Sequence, residues 1–146
     1  MVFLLQINFS RYTLDLKKIS TKKANFEIIA PGIIEVYFKQ DVKIEREDVL
    51  EFFRVIQLLS KDKPFCLLVK GKYFIEFGHA TGKLGSDFGK IKNRGVIAVV
   101  TENLATRLMV RFYMRYFKPN TEVKIFFQEN EAIQWLEEVL KREKVT

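Results

Sequence analysis

The chain has 146 residues, of which 48% are hydrophobic and 29% are charged, so it can form one globular core and is short for two domains. Its single cysteine, Cys66, excludes an intramolecular disulfide and indicates a reducing, cytoplasmic location. The net charge of +7 raises the possibility of a polyanionic partner, and the lack of any apolar run of roughly 20 residues excludes a membrane-spanning helix.

The first 24 residues differ from the rest of the chain. Residues 1–24 contain five basic residues and one acidic residue, and their apolar positions follow no sustained period. This pattern predicts a basic, mobile arm or a start codon placed upstream of the true domain. A single domain is then expected over residues 25–146, and it opens with two β-rich runs around Pro31-Gly32, which predict an antiparallel hairpin.

A helix is predicted next. Glu45, Glu47 and Asp48 place acidic groups in its first turn, where the helix macrodipole favours negative charge. Apolar residues then recur at spacings of three and four over residues 49–59, which gives the helix one apolar face. The segment 61–64, which contains a proline, is expected to end it.

The remaining elements alternate. Short apolar runs predict three strands, at 65–69, 96–100 and 123–127. Helical spacing predicts three more helices, a short one within 76–89 despite its glycines and longer ones at 103–118 and 129–142. The predicted fold class is therefore α/β, with a mixed β-sheet, an N-terminal antiparallel hairpin and about four helices packed on the sheet.

Several chemistries lack the residues they require. His79 is the only histidine, so a metal site built on histidines is excluded, and a dyad with Cys66 is disfavoured because that thiol lies in the middle of a strand. Three residues separate Gly78 from Gly82, and the lysine that follows is not succeeded by serine or threonine, so the segment is not a phosphate loop. We therefore predict a protein that is not an enzyme and that uses no metal or cofactor.

The positive charge is concentrated in parts of the chain. Residues 61–94 contain eight basic and three acidic residues, and residues 95–128 contain five basic and two acidic ones. The segments 25–60 and 129–146 are net acidic. This regional basicity is typical either of a solvated face or of a binding surface. The sequence contains no helix-turn-helix, aromatic RNA-binding motif or zinc finger, which disfavours nucleic acid as the partner.

The predicted helix at 103–118 has an unusual surface. Arg107, Arg111 and Arg115 fall on one stripe of about 80°, together with Leu104, and most of the remaining circumference is apolar. A helix that packs on a sheet needs an apolar stripe somewhat over 100° wide, so roughly half of this apolar surface requires another cover. A homodimer contact, an adjacent helix of the same chain or an apolar ligand would each provide it.

Five segments carry a family resemblance. They are the turn Pro31-Gly32-Ile33-Ile34, the helix start Val42-Lys43-Ile44-Glu45-Arg46-Glu47-Asp48, the strands Leu67-Leu68-Val69 and Val96-Ile97-Ala98-Val99-Val100, and Val123-Lys124-Ile125-Phe126-Phe127 with the following Glu131-Ala132-Ile133-Gln134-Trp135-Leu136. Over about residues 24–142 the chain resembles the SpoIIAA-like, STAS/SEC14-type small bacterial domains, and most of all a functionally unassigned group common in Bacteroidetes.

The resemblance implies a mixed sheet with helices on it, no intrinsic catalysis and a role in interaction or ligand binding. Anti-anti-sigma members of the STAS superfamily carry a phosphorylated serine just after a central strand. Here Lys70-Gly71-Lys72 follows the corresponding strand, so the resemblance does not extend to a phosphorylation switch.

Two functional hypotheses follow. The first is a STAS-like interaction or regulatory domain that binds a protein partner or forms a homodimer. The alternative is a SEC14-like binder of a small anionic or lipid-like ligand. Either would use the two basic regions, with candidate surface residues Lys70, Lys72, His79, Arg107, Arg111 and Arg115.

Overall fold

The structure is a computed structural model that describes residues 17–40, 42–71, 76–77, 91, 93–117 and 121–145. The strands are β1 (Lys18–Ser20), β2 (Ala24–Ala30), β3 (Ile33–Phe38), β4 (Lys43–Ile44), β5 (Phe65–Gly71), β6 (Glu76–Phe77), β7 (Arg94–Val100) and β8 (Val123–Phe126). The helices are α1 (Arg46–Ser60), α2 (Leu104–Phe117) and α3 (Glu129–Val145). Six strands form one mixed sheet in the order β1-β2-β3-β5-β7-β8, and β4 pairs with β6 in a separate small sheet.

The predicted N-terminal hairpin is present. Strands β2 and β3 pair antiparallel on either side of Pro31-Gly32, and a register shift falls between Ile28 and Ala30. Gly32 has a φ of +80°, a conformation that favours glycine, and a Cβ there would lie 3.2 Å from a side-chain carbon of Leu140. The positive φ therefore favours glycine in this turn, and a larger side chain would also crowd Leu140 of α3.

The parallel half of the sheet has β5 at its centre, buried on both faces as its apolar sequence predicts. Phe65 and Leu67 belong to a core cluster with α1, and the alternate residues Cys66 and Leu68 belong to a second cluster with α3. Strands β3 and β7 flank β5 in parallel, and β8 adds to β7 in parallel. Thus α1 and α3 cover opposite faces of one sheet, which confirms the predicted α/β class.

The start of α1 agrees with its acidic sequence. The backbone N–H of Glu45 donates to the Asp48 carboxylate at 2.8 Å, which is the reciprocal half of a capping box. The same carboxylate pairs with Lys23 Nζ at 3.1 Å, and Lys23 Nζ also donates to the carbonyl of Lys43. Lys61, in the left-handed conformation with a φ of 51°, ends the helix directly after Ser60.

Two features differ from the sequence-based expectations. Strand β1 lies within the predicted arm 1–24 and pairs with β2, so the sheet begins before residue 25, while residues 1–16 lie outside the described part. Glu76 and Phe77, expected to start a short helix, instead pair as β6 with β4, because their backbone groups meet an extended neighbour. The rest of that predicted helix, residues 78–89, lies outside the described residues. The described residues contain three helices, compared with about four predicted.

Candidate interaction surface

The carboxyl ends of the four parallel strands meet at one edge of the sheet, where the segment after β8 contacts two of the predicted surface residues. Its Glu129 carboxylate pairs with Lys70 Nζ at 2.7 Å, and the ring of Phe127 lies under the Arg107 guanidinium. Lys70 comes from the end of β5, whereas Arg107 comes from the first turns of α2. The fold therefore brings these two cations to the same edge, although they are far apart in the chain.

Lys70 is held by carboxylates from two different elements. Its Nζ lies 3.2 Å from Glu35 of β3 and 2.7 Å from Glu129 at the start of α3, and about a fifth of its side chain is exposed. The same Nζ lies 5.6 Å from the centre of the Tyr37 ring. Two carboxylates already compensate this charge, so Lys70 is poorly suited to recruit an anionic ligand.

Protonation of Lys70 follows from this environment. Partial burial lowers its pKa, but the hydrogen bonds to Glu129 and Glu35 and the negative charge of both groups outweigh burial, so the pKa is raised. The ammonium form is therefore favoured beyond the ordinary lysine range, and Lys70 is not suited to act as a base.

A row of charged side chains crosses the sheet on the α3 side. Glu27 of β2 stands directly opposite Glu35 of β3, and both alternate with residues of the α1 cluster, so both project from the other face. Like charges in this position repel each other. Lys18 of β1 lies 3.5 Å from Glu27, and Lys70 lies on the far side of Glu35, so each carboxylate has its own cation.

Helix α2 begins with a side-chain cap. The Asn103 side-chain oxygen accepts from the backbone N–H of Thr106 at 3.0 Å, and the Thr101 hydroxyl oxygen accepts from the N–H of Asn103 at 3.1 Å. The N–H of Thr101 donates to the carbonyl of Phe126, which fixes the start of the helix to the end of β8. This arrangement determines where the arginines of α2 lie.

The Arg107 side chain packs against the segment that follows β8. Its guanidinium carbon lies 3.9 Å from the centre of the Phe127 ring, and the side chain is half-buried. Its Nε is buried and has no hydrogen-bond partner. Arg107 is therefore anchored chiefly by stacking on the ring, with one polar atom left unsatisfied.

The outer face of α2 combines exposed apolar and cationic side chains. Leu104, Leu108 and Phe112, which follow one another at intervals of four residues, are 66%, 55% and 61% exposed. Arg111 and Arg115 are exposed beside them. In the part of the chain that the structure describes, no carboxylate pairs with either of these two arginines, and no side chain of α2 belongs to either core cluster.

The four predicted surface residues that the structure describes have different environments. Lys70 is neutralised by two carboxylates, Arg107 stacks on Phe127, and Arg111 and Arg115 extend from the exposed face of α2. Lys72 and His79 lie outside the described residues. Glu35, Phe127 and Glu129 could not be predicted as partners of the basic residues, because no local sequence motif marks them.

The described residues show no metal centre, since no group of three or more histidine, cysteine, aspartate or glutamate side chains could hold an ion there. Cys66 is fully buried in the α3 cluster, and burial raises the pKa of its thiol to about 11. A thiol of this kind behaves as an apolar core group rather than as a nucleophile.

None of the helices within the described ranges has the length and apolar character needed to cross a membrane. Residues 27–140 match the family described as Domain of unknown function (DUF7793), so the chain belongs to that family. No curated protein and no solved structure matches the chain.

Proposed function

We propose that this DUF7793 domain is a non-catalytic interaction module that docks a protein partner on the outer face of α2. The observation that carries the proposal is the exposed row of Leu104, Leu108 and Phe112, with Arg111 and Arg115 beside it. Contiguous apolar side chains on a protein surface mark interaction sites more often than isolated ones do, and arginine is enriched in protein interfaces.

The energetic reason for docking follows from this exposure. Covering a leucine or phenylalanine side chain stabilises a complex by roughly 1.5–3 kcal/mol, before the cost of association is subtracted. The long stems of Arg111 and Arg115 extend the apolar surface, while their guanidinium groups add a requirement for acceptor groups on the partner. A partner that presents apolar side chains next to carboxylates fits both conditions.

The resemblance to STAS-like domains supports the same proposal, since it implies a role in interaction or ligand binding rather than catalysis. We also propose that the protein is cytoplasmic, where its single thiol would remain reduced.

Photo-crosslinking tests the proposal. A photoreactive residue replaces Leu108 in the full chain, which is expressed in the cells of the organism that encodes it. In the matched control the photoreactive residue replaces Leu58, a 41% exposed leucine on α1. We expect a discrete adduct from position 108 and none from position 58. The adduct must re-form from purified components and disappear when Leu104→Glu is added. Equal labelling at the two positions, or no discrete adduct at position 108, would overturn the proposal.

A further inference from the structure

We infer that the occupant of the outer face of α2 is the same face of a second copy of this chain, in an antiparallel, two-fold helix pair. This inference rests on the proposed function and specifies its partner. The proposed contact is centred on Leu108, and each copy contributes the same residues to it, as a two-fold axis requires.

The apolar row is self-complementary in an antiparallel arrangement. With a rise of about 1.5 Å per residue, Leu104 and Phe112 lie about 6 Å on either side of Leu108 along the helix axis. Antiparallel pairing about Leu108 therefore sets Leu104 of one copy against Phe112 of the other, twice. The smaller side chain faces the larger one at both ends, which suits close packing of two helices.

Charge favours the antiparallel direction over the parallel one. A parallel pair in register would bring Arg111 and Arg115 next to the same residues of the second copy, which is repulsive. In the antiparallel pair, Arg115 comes level with the turn that precedes α2 in the second copy. That turn contains Glu102, which is exposed. Each contact thus gains two symmetric Arg115 to Glu102 pairs at its ends.

The size of the contact indicates that the dimer is not an obligate one. Helix α2 has 14 residues, so one helix pair buries less area than the roughly 1,600 Å² of a standard interface. We therefore expect a reversible dimer rather than an obligate one.

Cysteine crosslinking tests the geometry in the full chain. In a two-fold antiparallel pair the central residue lies near its own copy, so the variant Leu108→Cys should form a covalent dimer on mild oxidation. Leu58→Cys, at an exposed position of α1, is the matched control and should form no covalent dimer. The native Cys66 is fully buried and does not compete. Equal crosslinking of the two variants, or no crosslinking at position 108, would overturn the inference.

Sedimentation analysis of charge variants tests the direction of the helices. Arg115→Glu should weaken dimerisation about tenfold, because both symmetric pairs become repulsive. Adding Glu102→Arg to that variant should restore the dimer to within about threefold of the original. A weakened dimer that the second change does not restore would overturn the antiparallel arrangement.

The outcome for the inference can be separated from that for the proposed function. A chain that stays monomeric over the whole accessible concentration range overturns the inference, but a specific photo-adduct of position 108 with a different protein would leave the proposed function standing. Circular dichroism and unfolding midpoints of every variant show whether the fold is retained, which is expected because the changed positions are exposed.

Discussion

The guanidinium of Arg107 stacks on the ring of Phe127, with 3.9 Å between the guanidinium carbon and the ring centre. This contact connects the first turns of α2 to the segment that links β8 to α3. It also gives Arg107 a different environment from Arg111 and Arg115. All three arginines lie on one stripe of the helix, but Arg111 and Arg115 are exposed. The first arginine of the stripe packs on another segment of the fold, and the other two are exposed.

Replacing Arg107 should destabilise the protein through lost stacking. We expect Arg107→Ala to lower the free energy of unfolding by about 1 kcal/mol in urea denaturation. Arg107→Leu should lower it less, because leucine keeps contact with Phe127 and removes the buried Nε that has no partner. Arg111→Ala is the control and should change stability by less than about 0.5 kcal/mol. A leucine variant less stable than the alanine variant would contradict this assignment.

Removing Lys70 should have a larger effect, because Glu35 and Glu129 would lose their shared cation. Glu35 is mostly buried and stands opposite Glu27, so we expect Lys70→Met to lower the free energy of unfolding by about 2 kcal/mol at neutral pH. Lys18→Met removes the cation beside Glu27 at a 78% exposed position, and we expect it to change stability by no more than about 0.5 kcal/mol. Similar losses in both variants would contradict the role given to Lys70.

The effect of Lys70 should depend on pH in a defined direction. The pKa of Lys70 in the folded protein is raised above the ordinary value of 10.5. Its contribution to the free energy of unfolding is therefore complete below that pH and is lost as the pH rises through the folded pKa. The stability difference between the original chain and Lys70→Met should therefore be constant near neutrality and shrink above about pH 10.5. Unfolding curves over that range measure it, and a difference that grows with pH would contradict the predicted sign.

Local patterns predicted the elements better than they predicted the site. The acidic residues at the start of α1 interact with backbone groups adjacent in sequence, so the start of the helix could be predicted from them. The apolar run of β5 is simply buried, so its position in the core could also be predicted. The partners of Lys70 lie on β3 and α3, and only the parallel pairing of strands and the path of α3 bring them together. Helical periodicity placed the three arginines on one stripe, but it could not show that Phe127 would stack on Arg107.

The thiol of Cys66 should be unreactive in the folded protein. Burial raises its pKa to about 11, so roughly one thiol in a thousand is ionised at pH 8. Labelling with a thiol reagent should follow the rate of unfolding, and it should become fast in denaturant. The variant Leu58→Cys provides the control, since its added thiol is exposed and should react at once. Rapid labelling of the original chain under native conditions would contradict the burial of this residue.

Gly95 is expected to be intolerant of a side chain because of its neighbour on β5. A Cβ at this position would lie 2.7 Å from the Cys66 Sγ and 2.8 Å from the carbonyl oxygen of Phe65, beside a register shift between β5 and β7. We expect Gly95→Ala to lower the free energy of unfolding by about 2–3 kcal/mol, since a core strand must move to make room.

A double-mutant cycle separates the two contacts of Gly95. Cys66→Ala removes the sulfur but leaves the Phe65 carbonyl, so it should reduce the effect of Gly95→Ala without abolishing it. Urea denaturation of the four proteins measures the coupling. Additive effects would show that the sulfur does not limit the space at Gly95, whereas complete rescue would show that the backbone contact is relieved by a small shift of β5.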